Sequence, residues 1–132
     1  MSNAENVLFA AIKTVTDTLG YPVKWPNVNG PENEPTWIDI VHIPNGVAKS
    51  GLNDLKANHG LLNIGVMVQP NTGAQIANTT RSALAAAFLQ GTVLRDTGIR
   101  VEIYSPPVLG TALESGQKTN FPLSIRYRSF ED

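Results

Sequence analysis

The residues best suited to chemistry in this chain are its two histidines, His42 and His59, and the nearby carboxylates of Asp39 and Asp54. Imidazole and carboxylate groups together can bind a metal ion or work as an acid–base pair. The spacing of these four residues matches no metal-ligand or catalytic motif. The sequence therefore favours surface or strand histidines without chemistry, and it predicts no catalytic residue, no metal site and no cofactor.

Two other catalytic signatures are incomplete or missing. The segment from Gly46 to Gly51 contains Lys49-Ser50-Gly51, but it lacks the Gly-Lys-Ser/Thr ending of a phosphate-binding loop. No Gly-x-Ser-x-Gly sequence marks the nucleophile elbow of a serine hydrolase. The chain is therefore not predicted to be an enzyme. A small enzyme or ligand-binding protein that uses a sheet face and the segment from Pro44 to Gly60 is the less favoured class.

Three arginines near the end of the chain offer a different chemistry. Arg100, Arg126 and Arg128 alternate with apolar residues, so they could lie together on a polar sheet face, with Glu102 as a counter-charge. This face is either solvated surface, or a subunit contact or channel lining, because the planar arginine fork pairs well with carboxylates and phosphates. Trp25 follows a possible edge strand and is the tryptophan expected to be more exposed. The candidate interface residues are Trp25, Arg100, Glu102, Arg126 and Arg128.

Composition narrows the class of protein. The chain has 132 residues, of which 42% are hydrophobic, so we expect one domain, spanning residues 1–132, with one core. Only 16% of residues are charged, against a usual quarter or so, which suggests that other subunits cover some weakly polar surface. A net charge of -1 argues against a nucleic-acid footprint, and we expect no sequence-specific nucleic-acid partner. The absence of cysteine excludes disulfides and suits an intracellular origin. No apolar run approaches a membrane span of roughly 20 residues, and no signal peptide is apparent.

Two amphipathic segments predict two helices. The first runs from Ala4 to Leu19 and ends at Gly20, which can take a left-handed conformation. The second runs from about Gly73 to Gln90 and is rich in alanine. Each has an apolar stripe at helical spacing. The stripes comprise Leu8, Ile12, Val15 and Leu19 in the first helix, and Ala77, Thr80, Leu84, Ala87 and Phe88 in the second.

Alternating segments predict a sheet. We expect a short extended piece at residues 23–26, strands at 36–43, 61–69, 99–105 and 121–130, and a short strand that includes Val93 and Leu94. Long loops are expected at 44–60 and 106–120, and both should become ordered only on assembly. The aliphatic face of the 61–69 strand should pack under the helices. The predicted fold class is α+β, a mixed and mainly antiparallel β-sheet with two α-helices packed on one face.

Four stretches in the same order resemble a known family. They are the opening helix leading into YPVKWPN at residues 21–27, the strand and glycine before Leu61, VMVQPNTG at residues 66–73 entering the alanine-rich helix, and TNFPLSIRY at residues 119–127. The chain thereby resembles the phage tail terminator-like family, small proteins of siphophage and prophage tails. The likeness covers nearly the whole chain, although no single motif is diagnostic.

The resemblance implies a structural protein that assembles into a hexameric ring. Such a ring caps the completed tail tube, ends its polymerisation and provides a surface for joining the head. The implied partners are other copies of the chain, the tail tube protein and a head–tail connector protein. The implied locations are the virion tail and, during assembly, the host cytoplasm. The leading alternative is another neck or tail-completion protein.

Overall fold

The structure is a computed structural model, and it describes residues 4–25, 36–50, 55–69, 74–96, 98–115 and 118–131. Within these ranges the chain forms two helices that cover one side of a curled sheet of eight strands. The elements in chain order are α1 (Ala4–Leu19), β1 (Val23–Lys24), β2 (Thr36–Ser50), β3 (Leu55–Val68), α2 (Ala74–Ala86), β4 (Val93–Asp96), β5 (Ile99–Ile103), β6 (Val108–Leu109), β7 (Leu113–Ser115) and β8 (Lys118–Glu131).

The sheet has the strand order β1-β2-β3-β8-β5-β4, and β6 and β7 pair with β8 beyond the end of β5. Strand β1 runs parallel to β2, whereas the other described pairings are antiparallel. This arrangement confirms the predicted α+β class with a mixed and mainly antiparallel sheet. No helix in the described ranges is long and apolar enough to cross a membrane.

Both helices pack on the same face of the sheet, as the matching apolar stripes predicted. Leu8 and Ile12 of α1 and Leu84 and Phe88 of the α2 region are each 0% exposed. They join the aliphatic faces of the strands in one core, whose strand residues include Ile38, Ile40, Leu62, Ile64, Val66, Val101, Leu123 and Ile125. Helix α1 ends at Leu19 as predicted, and Gly20 follows with a φ of 80° and donates its N–H to Thr16 O at 2.8 Å.

The prediction of a loop at residues 44–60 is wrong. Strand β2 continues to Ser50 and β3 begins at Leu55, so most of this segment is a long β-hairpin. Its pairs run from Pro44↔Gly60 to Ser50↔Leu55, with a register shift between Pro44 and Val47. An irregularity of this kind breaks the two-residue period, and backbone pairing rather than side-chain alternation then defines the strands. Residues 51–54 lie outside the described residues.

The prediction of a loop at residues 106–120 is also partly wrong. The short strands β6 and β7 pair with β8, and β8 itself begins at Lys118 rather than Phe121. Backbone pairing with a regular neighbour again creates strands that carry little periodic signal of their own. Smaller boundary shifts occur elsewhere, since α2 ends at Ala86 rather than Gln90, and β5 ends at Ile103 rather than Ser105.

Candidate functional site

The sheet has one face under the helices, called here the helix face, and an opposite outer face. Successive strand residues point to opposite faces, so Val101, Ile125 and Tyr127 are buried on the helix face while their neighbours point outward. Large apolar side chains remain exposed on the outer face, by 38–59% of their area. They are Val41, Ile43, Val93, Tyr104, Val108 and Leu113. They are spread across the sheet from Val41 and Ile43 on β2 to Val93 on β4, so the outer face leaves apolar area exposed along its width.

Several arginines lie close together at one corner of the outer face. The register places Arg95 opposite Arg100, and Glu102 opposite Arg128, on strands β4, β5 and β8. The Glu102 carboxylate lies between two guanidinium groups, with Oε1 at 3.0 Å from Arg128 Nε and Oε2 at 3.2 Å from Arg100 Nε. The Arg128 contact is a hydrogen bond, whereas the Arg100 contact is an ion pair without hydrogen-bond geometry. Three of the five candidate interface residues therefore meet directly.

The guanidinium groups of Arg100 and Arg128 also lie over aromatic rings. The Arg100 guanidinium carbon lies 4.7 Å from the Phe130 ring centre, and that of Arg128 lies 5.9 Å from Phe130 and 5.7 Å from Tyr104. His59 meets the edge of Tyr104 with ring centres 6.0 Å apart. Stacking on a ring orients the planar guanidinium group and limits its rotamers. We call Arg95, Arg100, Glu102, Tyr104, Arg126, Arg128 and Phe130 the arginine corner.

The remaining two candidates have different surroundings. Arg126 is exposed on the outer face opposite Leu61, which in turn pairs with Ile43, so it projects from an apolar row. It makes no ion pair with any described residue. Trp25 lies away from the arginines, half-buried against Phe9 of α1 with ring centres 5.0 Å apart. As expected, it is more exposed than Trp37, which is only 6% exposed.

A shallow cleft of about 320 Å³ lies beside the arginine corner on the outer face. Its lining includes Asp39, Val41, Asn63, Asn120 and Ser124, and Ser124 Oγ donates to Asn63 Oδ1 at 3.0 Å. A Cβ atom at Gly65 would lie 2.6 Å from Asn120 Oδ1, so glycine opens the floor of the cleft. Among the described residues that line it there is no histidine beside the serine hydroxyl. The cleft offers polar contacts from side chains of β2, β3 and β8.

His42 has a structural environment that its sequence position did not reveal. Its side chain is 7% exposed, and Nδ1 lies 2.8 Å from Glu5 Oε2 while Nε2 contacts the Tyr127 hydroxyl. With the proton on Nδ1, the imidazole donates to the carboxylate and accepts from the hydroxyl. Burial, and then the charge of Glu5, raises the pKa of Tyr127 to about 12. This network joins α1 to β2 and β8.

Arg81 is a buried residue that sequence reasoning missed. It is 8% exposed, and its Nη1 donates to Gly110 O at 2.7 Å and to Pro122 O at 3.0 Å. Nη2 donates to Asn78 Oδ1 at 2.7 Å. Burial lowers the pKa of its guanidinium group. Its position between Ala77 and Leu84 on the inward stripe of α2 was the available signal. Arg81 thus ties α2 to the segment after β6.

Metal chemistry finds no support within the described part of the chain. There, no group of three or more histidine, cysteine, aspartate and glutamate side chains is placed to hold a metal ion. The two histidines lie on different faces, since His42 bonds to Glu5 of α1 and His59 contacts Tyr104 on the outer face. They cannot act as a pair in this arrangement. Asp54 lies outside the described residues.

Comparisons with known proteins match a family model and solved structures of similar fold. A family model described as "Phage tail terminator protein" matches residues 4–127. A solved structure with a TM-score of 0.75 and 18% sequence identity aligns over 97% of this chain and 96% of its own. At that identity, the likeness shows a shared fold. No curated protein sequence matches this chain.

Proposed function

Because this chain belongs to the phage tail terminator family, we propose that it caps the completed tail tube, ends tube polymerisation and provides the surface to which the head joins. The observation that carries the proposal is the family match over residues 4–127. The family is structural, and its members are components of phage tails. The partners we propose are other copies of this chain, the tail tube protein and a head–tail connector protein.

We further propose that the chain acts as a hexameric ring, formed in the host cytoplasm or on the tail tube and retained in the virion. A closed ring needs two different surfaces on each subunit, because head-to-tail contacts are heterologous. The sheet offers two dissimilar edges. Strand β4 lies at one, and at the other β1 pairs with only Ile38 and Asp39 of the long β2 among the described residues. The exposed apolar side chains of the outer face favour burial against a partner.

A complementation experiment tests this role. The gene is deleted from its own phage or prophage, and the tails are imaged by electron microscopy with and without the chain supplied in trans. We expect overlong, headless tubes in the deletion and tubes of uniform length joined to heads after complementation. Uniform tubes that still lack heads in the deletion would instead indicate another neck or tail-completion protein.

The ring is tested separately by size-exclusion chromatography with light scattering, and by imaging the tube end in purified tails. We expect six copies at the tube end. A purified monomer is compatible with a ring that forms only on the tube, so the image of the tube end decides. A different copy number at that end would contradict the hexamer and leave the capping role in place.

A further inference from the structure

The arginine corner has an excess of positive charge that the described chain does not neutralise. It contains four arginines, Arg95, Arg100, Arg126 and Arg128, and a single glutamate, Glu102. Arg95 and Arg126 are exposed, and neither makes an ion pair with a described residue. Arg95 also lies directly opposite Arg100, a like-charged pair that is unfavourable in a sheet. This charge would be neutralised if another molecule supplied anionic groups.

The guanidinium groups of Arg100 and Arg128 share one carboxylate. Glu102 contacts each of them at Nε, at 3.2 Å for Arg100 and 3.0 Å for Arg128, and the hydrogen bond to Arg128 also uses Nε. The guanidinium carbon of Arg100 lies 4.7 Å from the Phe130 ring centre, and that of Arg128 lies 5.7 Å from the Tyr104 ring centre. The side chains are 33% and 44% exposed, so a second molecule can reach them. A pair of Nη groups held in this way matches the two oxygens of a carboxylate.

We propose that the arginine corner binds carboxylate side chains on the surface of a partner protein in the assembled tail. The choice of a protein follows from what surrounds the charges. Val93 and Tyr104 are 44% and 38% exposed beside the arginines, and Arg126 projects from the row of Leu61 and Ile43. Arginine and tyrosine among exposed apolar side chains are characteristic of protein interfaces. Nucleic-acid interfaces are more polar and more strongly basic, whereas this chain has a net charge of -1.

The inference rests on the proposed function in one respect, namely that the partner belongs to the phage tail. The binding of carboxylates can be measured on the purified chain without that premise. The probe is a synthetic hexaglutamate peptide titrated at low ionic strength and followed by NMR at the arginine Nε–H and the β5 and β8 amide signals. We expect saturable shifts centred on Arg100 and Arg128, and roughly tenfold weaker binding by the Arg100→Gln/Arg128→Gln variant. The Lys13→Gln variant, which loses an exposed cation on α1, should bind like the parent.

A 12-base-pair DNA duplex at the same ionic strength provides the opposing test. If the duplex displaces hexaglutamate and binds the corner more tightly, the site is a phosphate site and the proposal is overturned. Shifts that spread over the whole surface, or that persist in the Arg100→Gln/Arg128→Gln variant, also overturn it. Each variant is first checked by its unchanged backbone spectrum, so that loss of folding is not mistaken for loss of binding.

The phage itself separates this inference from the terminator role. The folded Arg100→Gln/Arg128→Gln variant should give fewer completed tails than the parent in the complementation experiment. If it supports normal tails, the corner is not a partner site and the inference falls, while the terminator role stands. If the parent chain itself fails to complement, the terminator role falls and the hexaglutamate titration alone decides the inference.

Discussion

The two faces of the sheet use alternate residues of the same strands and reach different states. On the helix face, Leu123, Ile125 and Tyr127 of β8 are at most 2% exposed and lie among side chains of both helices. On the outer face, Arg126 and Arg128 of the same strand are exposed. The helices cover the helix face and bury it in the core, whereas the outer face exposes charged and apolar side chains. Stability should therefore depend on the first face and assembly on the second.

Polar groups show the same contrast. On the helix side, the buried imidazole of His42 has a partner at each nitrogen, Glu5 and Tyr127. The polar groups of the arginine corner are only partly paired, because one carboxylate serves two guanidinium groups. A buried polar group without a partner destabilises the native state. An exposed polar group is hydrated by solvent, so the lack of a protein partner costs little stability. The four predictions that follow test this division, ordered by their expected effect on stability.

The largest effect is expected from shortening a side chain in the core under α2. Leu84 is 0% exposed, so Leu84→Ala should lower the free energy of unfolding by roughly 2–5 kcal/mol, through lost burial and a residual cavity. The matched control is Leu89→Ala, because Leu89 is 56% exposed and its loss should cost within about 0.5 kcal/mol. Chemical denaturation of both variants measures the difference. A loss below about 1 kcal/mol for Leu84→Ala would show that this position is not core.

The second effect concerns the buried guanidinium group of Arg81. Arg81→Met should destabilise the protein by about 1–3 kcal/mol, because Gly110 O loses its 2.7 Å hydrogen bond. Arg95→Met, on the exposed edge, serves as the control and should change stability by about 0.5 kcal/mol at most. Hydrogen exchange should also accelerate at Gly110 N, which donates to Pro122 O at 3.0 Å. Equal stability of the two variants would refute this structural role.

The third effect is pH-dependent and involves Tyr127. Tyr127→Phe removes the hydroxyl contact with His42 and should cost about 0.5–1.5 kcal/mol near neutral pH. Because the folded pKa of Tyr127 is raised to about 12, its protonated form contributes stability below the unfolded pKa, and that contribution is lost as pH rises toward the folded value. Wild type should therefore lose up to about 2 kcal/mol more than the variant between about pH 10 and pH 12.

Tyr104→Phe is the matched control for this pH experiment, since Tyr104 is 38% exposed on the outer face. The free energy of unfolding of the Tyr104→Phe variant should fall at high pH as much as that of wild type. Stability is followed by urea denaturation at intervals across that range. Parallel pH profiles for wild type and Tyr127→Phe would show that the folded protein does not hold the Tyr127 proton more tightly than the unfolded chain does.

The smallest effect on stability, and the largest expected on assembly, comes from reversing charge on the outer face. The Arg126→Glu/Arg128→Glu double variant should keep its fold nearly intact, because both side chains are exposed and exposed substitutions usually cost within about 0.5 kcal/mol each. Misplaced charges at an interface can cost several kcal/mol, so the double variant should fail to produce completed tails. Thermal melting and electron microscopy of complemented tails measure the two outcomes. Normal tails with unchanged melting would identify this face as solvated surface.

The sequence by itself determined the elements whose side chains alternate regularly. The stripe of Leu8 and Ile12 and the run of Leu62, Ile64 and Val66 predicted helices over one sheet face, and all five residues are buried there. It also predicted that Arg100, Arg126 and Arg128 would point away from the helices. Periodicity is a local property that the burial of one face imposes on each element separately, so it can be read without knowing the neighbours.

Only the tertiary structure decided which distant residues meet. The long hairpin of β2 and β3, and the short strands β6 and β7, are defined by backbone pairing with a neighbouring strand rather than by their own side-chain pattern. The Glu5–His42–Tyr127 network and the bonds of Arg81 join residues up to 85 positions apart. The Glu102 bridge likewise depends on the register of β5 against β8. Hydrogen-bond partners and strand register are set by the packed fold, because a one-residue slip would send each side chain to the other face.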